Sequence, residues 1–243
     1  DRTHDLEKSN QDLAKSNQQL EESYEKLKEL DRLKSRFFAN ISHELRTPLT
    51  LLMGPTEMML QRKLGTITEN QEKYLNIMLT HSTRLLKLIN NLLNLSKVDA
   101  GETKLLLQRG DFVWFVKNTV HSVIPIAEKK AIRLSVEGDE AIPEFVYDPD
   151  KMEEVLLNLL SNALKFTEGG EIRVSCERQW NNVLVKISDT GIGIPKESIP
   201  KLFDRFFQVD RAASHVGAGT GIGLSLVKEW VELHKGRVWV ESE

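Results

Sequence analysis

A single cysteine, Cys176, excludes an internal disulfide. It falls in an alternating stretch with Ile172 and Val174, where a small buried hydrophobe is the simple reading. Such sparse use of cysteine fits a reducing compartment. No stretch approaches the ~20 consecutive apolar residues of a membrane-spanning helix. The uniformly polar N-terminus is not a secretory signal. The chain begins at Asp1 rather than Met, so we expect a piece of a longer protein whose membrane attachment lies elsewhere. An excess of one charge is also missing: 33 basic residues against 36 acidic give a net charge of −3. That balance leaves no basic face for nucleic acid. What is present suffices for two domains, since 243 residues with 40% apolar content support packed cores rather than disorder.

Leu6, Leu13, Leu20 and Leu27 recur every seven residues, and Leu6–Gln11 is nearly repeated by Leu13–Gln18. With Leu at d, Asn10, Asn17 and Tyr24 occupy a, a pattern that fixes a two-stranded register at a cost in stability. The stripe is too narrow for a helix packed on its own domain, which favours a parallel coiled coil. Leu30, Leu33, Phe37, Ile41 and Leu45 then follow three- and four-residue steps outside that heptad frame, a phase break. This helix is expected to run to about Arg62, with a turn at 63–67. Thr68 and Gln71 form a capping box for a second helix, which carries Tyr74, Ile77, Met78, His81, Leu85, Leu88, Leu92 and Leu95 on one face. Two long amphipathic helices with a short turn make an antiparallel hairpin. Such a hairpin cannot bury both apolar faces alone, so two copies pairing as a four-helix bundle is the natural solution.

Asp99-Ala100-Gly101 ends that helix, and the periodicity becomes mixed. Strands are expected at 104–108, 133–136, 145–147, 171–178, 183–188 and 237–241. Helices are expected at 112–130, with an interruption near Pro125, and at 150–166 and 220–234. Runs of strands with segregated helices indicate an α+β two-layer sandwich. The fold class is therefore multi-domain: a coiled coil over 1–30, an all-α helical hairpin over 31–99, and an α+β sandwich over 100–243.

Two constellations carry chemistry. The first is Ser42-His43-Glu44-Leu45-Arg46-Thr47-Pro48-Leu49. Imidazole accepts a phosphoryl group well because one ring nitrogen holds a lone pair at neutral pH. A neighbouring carboxylate can take the proton of the other nitrogen. Pro48 lacks an N–H and crowds the carbonyl of Glu44, which places a kink within a turn of the pair. His4, His81, His121, His215 and His234 have no such context and read as structural.

The second lies downstream. Glu154, Asn158, Asn162 and Lys165 share one stripe of a leucine-rich helix. Amide oxygens suit Mg²⁺ together with phosphates, and Lys165 suits phosphate as a point charge. Asp189-Thr190-Gly191-Ile192-Gly193 follows an alternating strand. Asp189 can accept a hydrogen bond from an exocyclic amine such as adenine's, while the glycines allow close backbone approach. Gly217-Ala218-Gly219-Thr220-Gly221-Ile222-Gly223-Leu224 opens a helix whose N-terminal N–H groups form an anion site. It is not a P-loop, which needs Gly-Lys-Ser/Thr.

With these residues in view, the chain from about Leu30 onward resembles the sensor histidine kinases of two-component signalling. His43 to Leu49 are similar to that family's phosphoacceptor box. Asn158, Asn162 and Lys165 resemble the asparagine box of the ATP-binding domain shared with gyrase, Hsp90 and MutL. Asp189, Gly191 and Gly193 resemble its first glycine box, and Gly217 to Leu224 its second. The run from Leu202 to Phe207 resembles its phenylalanine box. The resemblance implies ATP and Mg²⁺ as cofactors, His43 as phosphoryl acceptor, Glu44 as base, and Thr47 as the residue that positions water for dephosphorylating a partner. It further implies Asn158 as metal ligand and Asp189 as reader of the adenine amine. The nucleotide would touch Asn162, Lys165, Gly191, Gly193, Phe207, Gly217, Gly219, Thr220, Gly221, Gly223 and Leu224. The implied partners are a second copy of the chain and the receiver domain of a response regulator. The implied location is cytoplasmic, with membrane contact only through parts of an inner-membrane sensor outside this chain.

Two features depart from the pattern. Glu154 stands where hydrolytic relatives place a water-activating Glu, and the strand expected after Glu243 is absent from the sequence. Two other readings remain open at this point. One is a non-catalytic dimeric relay gated by nucleotide; the other is an ATPase machine, which gives no reason for the acceptor box.

Overall fold

The computed structural model describes residues 2–139, 141–209 and 220–242. It divides into two compact units, Asp1–Thr103 and Lys104–Glu243. Among the described residues, no helix is long and apolar enough to cross a membrane.

The first unit is a helical hairpin. Helix α1 spans Arg2–Leu60 without interruption, and α2 spans Glu69–Asp99. The intervening turn needs left-handed backbone at Arg62 (φ 60°) and Gly65 (φ 115°). The Thr68 hydroxyl accepts the Gln71 N–H at 3.3 Å, and the Gln71 side chain accepts the Thr68 N–H at 2.8 Å. Two of the helix's orphan donors are satisfied this way. Antiparallel pairing is pinned by Lys34–Asp99 (3.2 Å), Arg46–Asn90 (2.7 Å) and Arg62–Glu72 (3.4 Å).

Pro48 and Pro55 both lie inside α1. Nearby hydroxyls bond back to carbonyls one turn earlier: Thr47 to His43, Thr50 to Arg46, and Thr56 to Leu52. They add local hydrogen bonds where proline removes backbone ones. Between the helices the hairpin buries Ser42, Leu49, Thr56, Ile89, Asn91 and Leu95. Phe37, Ile41, Leu45, Leu52, Tyr74, Ile77, Met78 and Leu85 stay exposed, as do Leu13, Leu20 and Leu27.

The second unit packs helices on a sheet in two pieces. Strand β1 (Gln108–Gly110) pairs antiparallel with β3 (Phe145–Tyr147). Strands β2 (Ile132–Gly138), β4 (Gly170–Gln179) and β5 (Asn182–Asp189) form the other piece in the order β2-β4-β5. Strand β2 runs parallel to β4, and β5 antiparallel. Helices α3 (Phe112–Lys129), α4 (Pro149–Phe166) and α5 (Gly223–Leu233) complete the layer.

Alternation in β4 sends Ile172, Val174 and Cys176 inward, against Val116, Val120 and Val123 of α3 and Leu156, Leu160 and Leu164 of α4. Burial pushes the Cys176 thiol up to about 11, with Asp139, Asp111 and Glu177 adding to the rise. The thiol is thus protonated and unreactive at neutral pH, which matches its reading as a buried hydrophobe.

Four expectations shift, one of them the start of α5, at Gly223 rather than 220. Helix α3 passes Pro125 unbroken. The residue is exposed, so water reaches the freed carbonyl, while Val120, Val123 and Ala127 hold the opposite face in the core. The first strand moves from 104–108 to Gln108–Gly110, because the Asp148 carboxylate takes the Leu106 N–H at 2.7 Å. Residues 237–241 form no ladder; the segment is tied instead by the Ser242 hydroxyl, which accepts the Ile194 N–H at 2.8 Å.

His234 is structural, as read from the sequence. Its Nδ1 donates to the Trp230 carbonyl at 2.7 Å, and its Nε2 accepts the Asp148 N–H at 3.0 Å. Asp148 is 2% exposed and caps α4 through the Lys151 N–H. His234→Ala strands that buried N–H, at a cost of about 1–3 kcal/mol. Urea denaturation should show the midpoint falling with an unchanged slope.

Candidate active site

The acceptor residues sit on one stretch of α1. Ser42 is 2% exposed and faces α2, and Leu49, two turns on, is buried beside it. One residue further turns the chain about 100°, so His43 and Glu44 are exposed. Among the described residues no hydrogen bond joins Glu44 to His43. The Thr47 hydroxyl donates to the His43 carbonyl at 3.3 Å. Arg46 reaches across to Asn90 at 2.7 Å and fixes the rotation of α1 at this turn.

Most of the described residues expected to bind nucleotide lie in the second unit on or near α4. Asp148 caps its start and Pro149 opens it, as helix N-termini prefer. Asn158 is 8% exposed, and its Nδ2 donates to the Glu154 carbonyl at 2.8 Å. Its Oδ1 therefore faces α5: a Cβ added at Gly223 would stand 3.0 Å from it. Asn162 and Lys165 are half-buried further along, with Lys165 Nζ 4.9 Å over the Phe166 ring.

At the far end of α4, the Ile192 N–H donates to the Phe166 carbonyl at 3.2 Å. A Cβ at Gly191 would stand 2.6 Å from that carbonyl oxygen, so only glycine fits. This packing sets Asp189, at the end of β5, beside the α4 C-terminus, its Oδ1 accepting the Gly191 N–H at 2.9 Å. Gly193 takes φ 65° just beyond. Asn158 and Phe166 are thus the two ends of a floor eight residues, or about 12 Å, long. That length suits a nucleoside triphosphate.

Gly221 adopts φ 68° against the backbone of Phe206, whose N–H donates to the Gly221 carbonyl at 2.8 Å. Thr220 Oγ1 accepts the Ile222 N–H, and Leu224 and Phe207 are half-buried. Gly217 and Gly219 lie outside the described residues. Two contacts around these residues were not anticipated from the sequence: the Phe206 backbone against Gly221 and the Ser242 hydroxyl on the Ile194 N–H. Phe206 already stood inside the phenylalanine run, but its left-handed φ of 64° has no signature in an aromatic residue. Ser242 gave no signal at all. Among the described residues no group of three His, Cys, Asp or Glu could hold a metal. Any cation here would rely on phosphate oxygens as well as protein.

A family model described as His Kinase A (phospho-acceptor) domain matches residues 33–101. One described as histidine kinase-, DNA gyrase B-, and HSP90-like ATPase matches residues 147–243. The sensor histidine kinase TmoS of Ectopseudomonas mendocina is 39% identical over 217 residues, covering 88% of this chain and 22% of that protein. Full-length ShkA, solved in complex with AMPPNP, aligns with TM-score 0.72 at 27% identity, over 85% of this chain and 42% of that one. Histidine kinase ThkA, solved in complex with the response regulator protein TrrA, aligns with TM-score 0.57 at 25% identity, over 84% of this chain and 57% of that one. The chain therefore belongs to the sensor histidine kinases: it joins a helical phosphoacceptor region to an α+β ATPase domain of that family.

Asp189 provides a direct test of the adenine contact expected from the sequence. Asp189→Asn removes a charge-assisted hydrogen bond of roughly 1.5–3 kcal/mol, so ATP should bind about 10- to 150-fold more weakly. Preference over GTP should shrink with it. Calorimetric titration measures both, and an unchanged affinity would take Asp189 out of the site.

Proposed function

We propose that this chain is the core of an ATP-dependent protein-histidine kinase that phosphorylates itself on His43. One observation carries the reading: a nucleotide floor with a buried asparagine oxygen facing a helix N-terminus shares a polypeptide with an exposed His-Glu pair. Residues 1–30 would be the signalling coiled coil, 31–99 the dimerisation and phosphotransfer domain, and 100–243 the catalytic domain. Asp189 accepts the adenine amine, Gly191 and Gly193 let the backbone approach the ring, and Phe207 flanks the base. Asn162, Lys165, Thr220, Leu224 and the N–H groups at Gly217, Gly219, Gly221 and Gly223 take the phosphate end.

Asn158 fits Mg²⁺. Its nitrogen is used on the helix, so it presents a hard oxygen to the space that Gly223 leaves by having no Cβ. Bound there, Mg²⁺ would neutralise charge on the phosphates.

The lone pair of His43 attacks the γ-phosphorus. A nitrogen–phosphorus bond forms as the bond to the ADP oxygen breaks, and Glu44 takes the proton from the other ring nitrogen. The exposure of both residues on α1 supports this, since each can meet a partner without unfolding the hairpin. The phosphoryl group then passes to an aspartate oxygen of a response regulator's receiver domain. Thr47, one turn from His43, would position water for the reverse role, dephosphorylation of that regulator. We assign the chain to the cytoplasm, where ATP and reduced thiols such as Cys176 are at home. The working unit is a homodimer.

Incubation with γ-labelled ATP tests the reading. Label should appear on the chain, be lost in acid and survive base, as a phosphoramidate does. Nucleotide binding without label would instead indicate the gated relay.

A further inference from the structure

One turn before Asn158, on the same stripe of α4, stands the carboxylate of Glu154. A carboxylate that near a triphosphate can activate water as well as any other base. Water competes with His43: its oxygen attacks the γ-phosphorus, the bond to ADP breaks, the proton passes to the carboxylate, and inorganic phosphate leaves. The structure gives Glu154 other partners. Its Oε2 accepts the Trp230 Nε1–H at 3.1 Å. Lys151 Nζ lies 3.9 Å from the same oxygen and 4.4 Å over the Trp230 ring. Trp230 is 1% exposed, so the indole is fixed in the core, and the Lys151 and Glu154 side chains are only 24% and 25% exposed.

The direction of this clamp matters. Asn158 faces Gly223, the first residue of α5. Trp230 is seven residues, or about 10 Å, further along the same helix. The carboxylate is drawn down α5, away from the N-terminus where phosphates would lie.

We infer that Trp230 and Lys151 are positioning residues that hold Glu154 away from the γ-phosphoryl group and so favour transfer to His43 over transfer to water. The inference rests on the nucleotide-site reading above. It goes beyond that reading by assigning the choice of acceptor to three side chains outside the binding set.

The test uses the full chain carrying His43→Ala, so that phosphohistidine turnover cannot release phosphate. Inorganic phosphate release at saturating ATP is measured for Trp230→Phe and for Lys151→Gln, each with and without Glu154→Gln. Release should rise about 10-fold or more in Trp230→Phe, short of the ~10²-fold that a well-placed base supplies. Lys151→Gln should give a smaller rise. Adding Glu154→Gln should return both to the starting rate. A merely structural role predicts the opposite sign, since a loosened site loses turnover. No rise in Lys151→Gln or Trp230→Phe chains that still bind ATP overturns the inference, as does a rise that persists with Glu154→Gln. Should Trp230→Phe not fold, Lys151→Gln decides. Titration with ATP separates the two levels: a parent chain that does not bind ATP removes the nucleotide-site reading, and this inference with it.

Discussion

His43→Ala should reduce incorporation of label from γ-labelled ATP to background while leaving ATP affinity unchanged. The size of the effect follows from chemistry: alanine offers no lone pair, and the family's acceptor box supplies no second imidazole within reach of the same turn. The clean separation follows from structure. His43 is exposed on α1, with Ser42 and Leu49 making the contacts to α2, so removing the ring costs the hairpin no packing. Alanine is the best helix former and leaves α1 intact. The proposed nucleotide residues Asn158, Lys165, Asp189 and Gly223 belong to the other compact unit, so their local packing does not involve position 43. Acid-labile label remaining on the His43→Ala chain would mean that another residue is the acceptor. Loss of ATP binding would mean that the two sites are not separable as drawn.

The two sites differ in how far the sequence reveals them, and the reason is physical. Local rules were readable. The Thr68–Gln71 capping box and the inward alternation of Ile172, Val174 and Cys176 depend on residues a few positions apart, and both are in the structure. The Asn158–Lys165 stripe follows from helical period alone. Features set by distant backbone were not readable. Helix α5 starts at Gly223, not at 220, because Gly221 takes φ 68°, which a right-handed helix cannot hold, against the backbone of Phe206. The Asp148 carboxylate takes the Leu106 N–H that a strand over 104–108 would have used, across 42 residues of sequence. Likewise, the Trp230 indole on Glu154 spans 76 positions. No periodicity encodes such a pair, so Glu154 looked like a member of the polar stripe and not like a carboxylate already engaged.

The exposed apolar residues of the hairpin lead to the second large effect, on assembly. Leu45, Leu52 and Met59 repeat every seven residues on α1 and are 43%, 56% and 39% exposed; Ile77 and Leu85 of α2 are 45% and 44% exposed. Within one hairpin they have little to pack against, whereas Leu49, Ile89 and Leu95 are already buried. A second hairpin would cover them, and with about half of each side chain already buried, covering the rest is worth roughly 0.7–1.5 kcal/mol apiece. Ile77→Asp with Leu85→Asp therefore strikes association and spares the internal core. With four half-exposed sites lost per dimer, the penalty is roughly 3–6 kcal/mol, about 10²- to 10⁴-fold in dissociation constant. The double variant should sediment as a monomer at micromolar concentration, while the parent sediments as a dimer. Removing residues 1–29 should leave the dimer in place, because the coiled coil expected from the heptads, with Asn10 and Asn17 at its a positions in the sequence, would be weaker than the expected bundle. Sedimentation equilibrium on the three chains distinguishes the outcomes. A parent that is already monomeric refutes the dimer, and a double variant that stays dimeric puts the interface on another face of the hairpin.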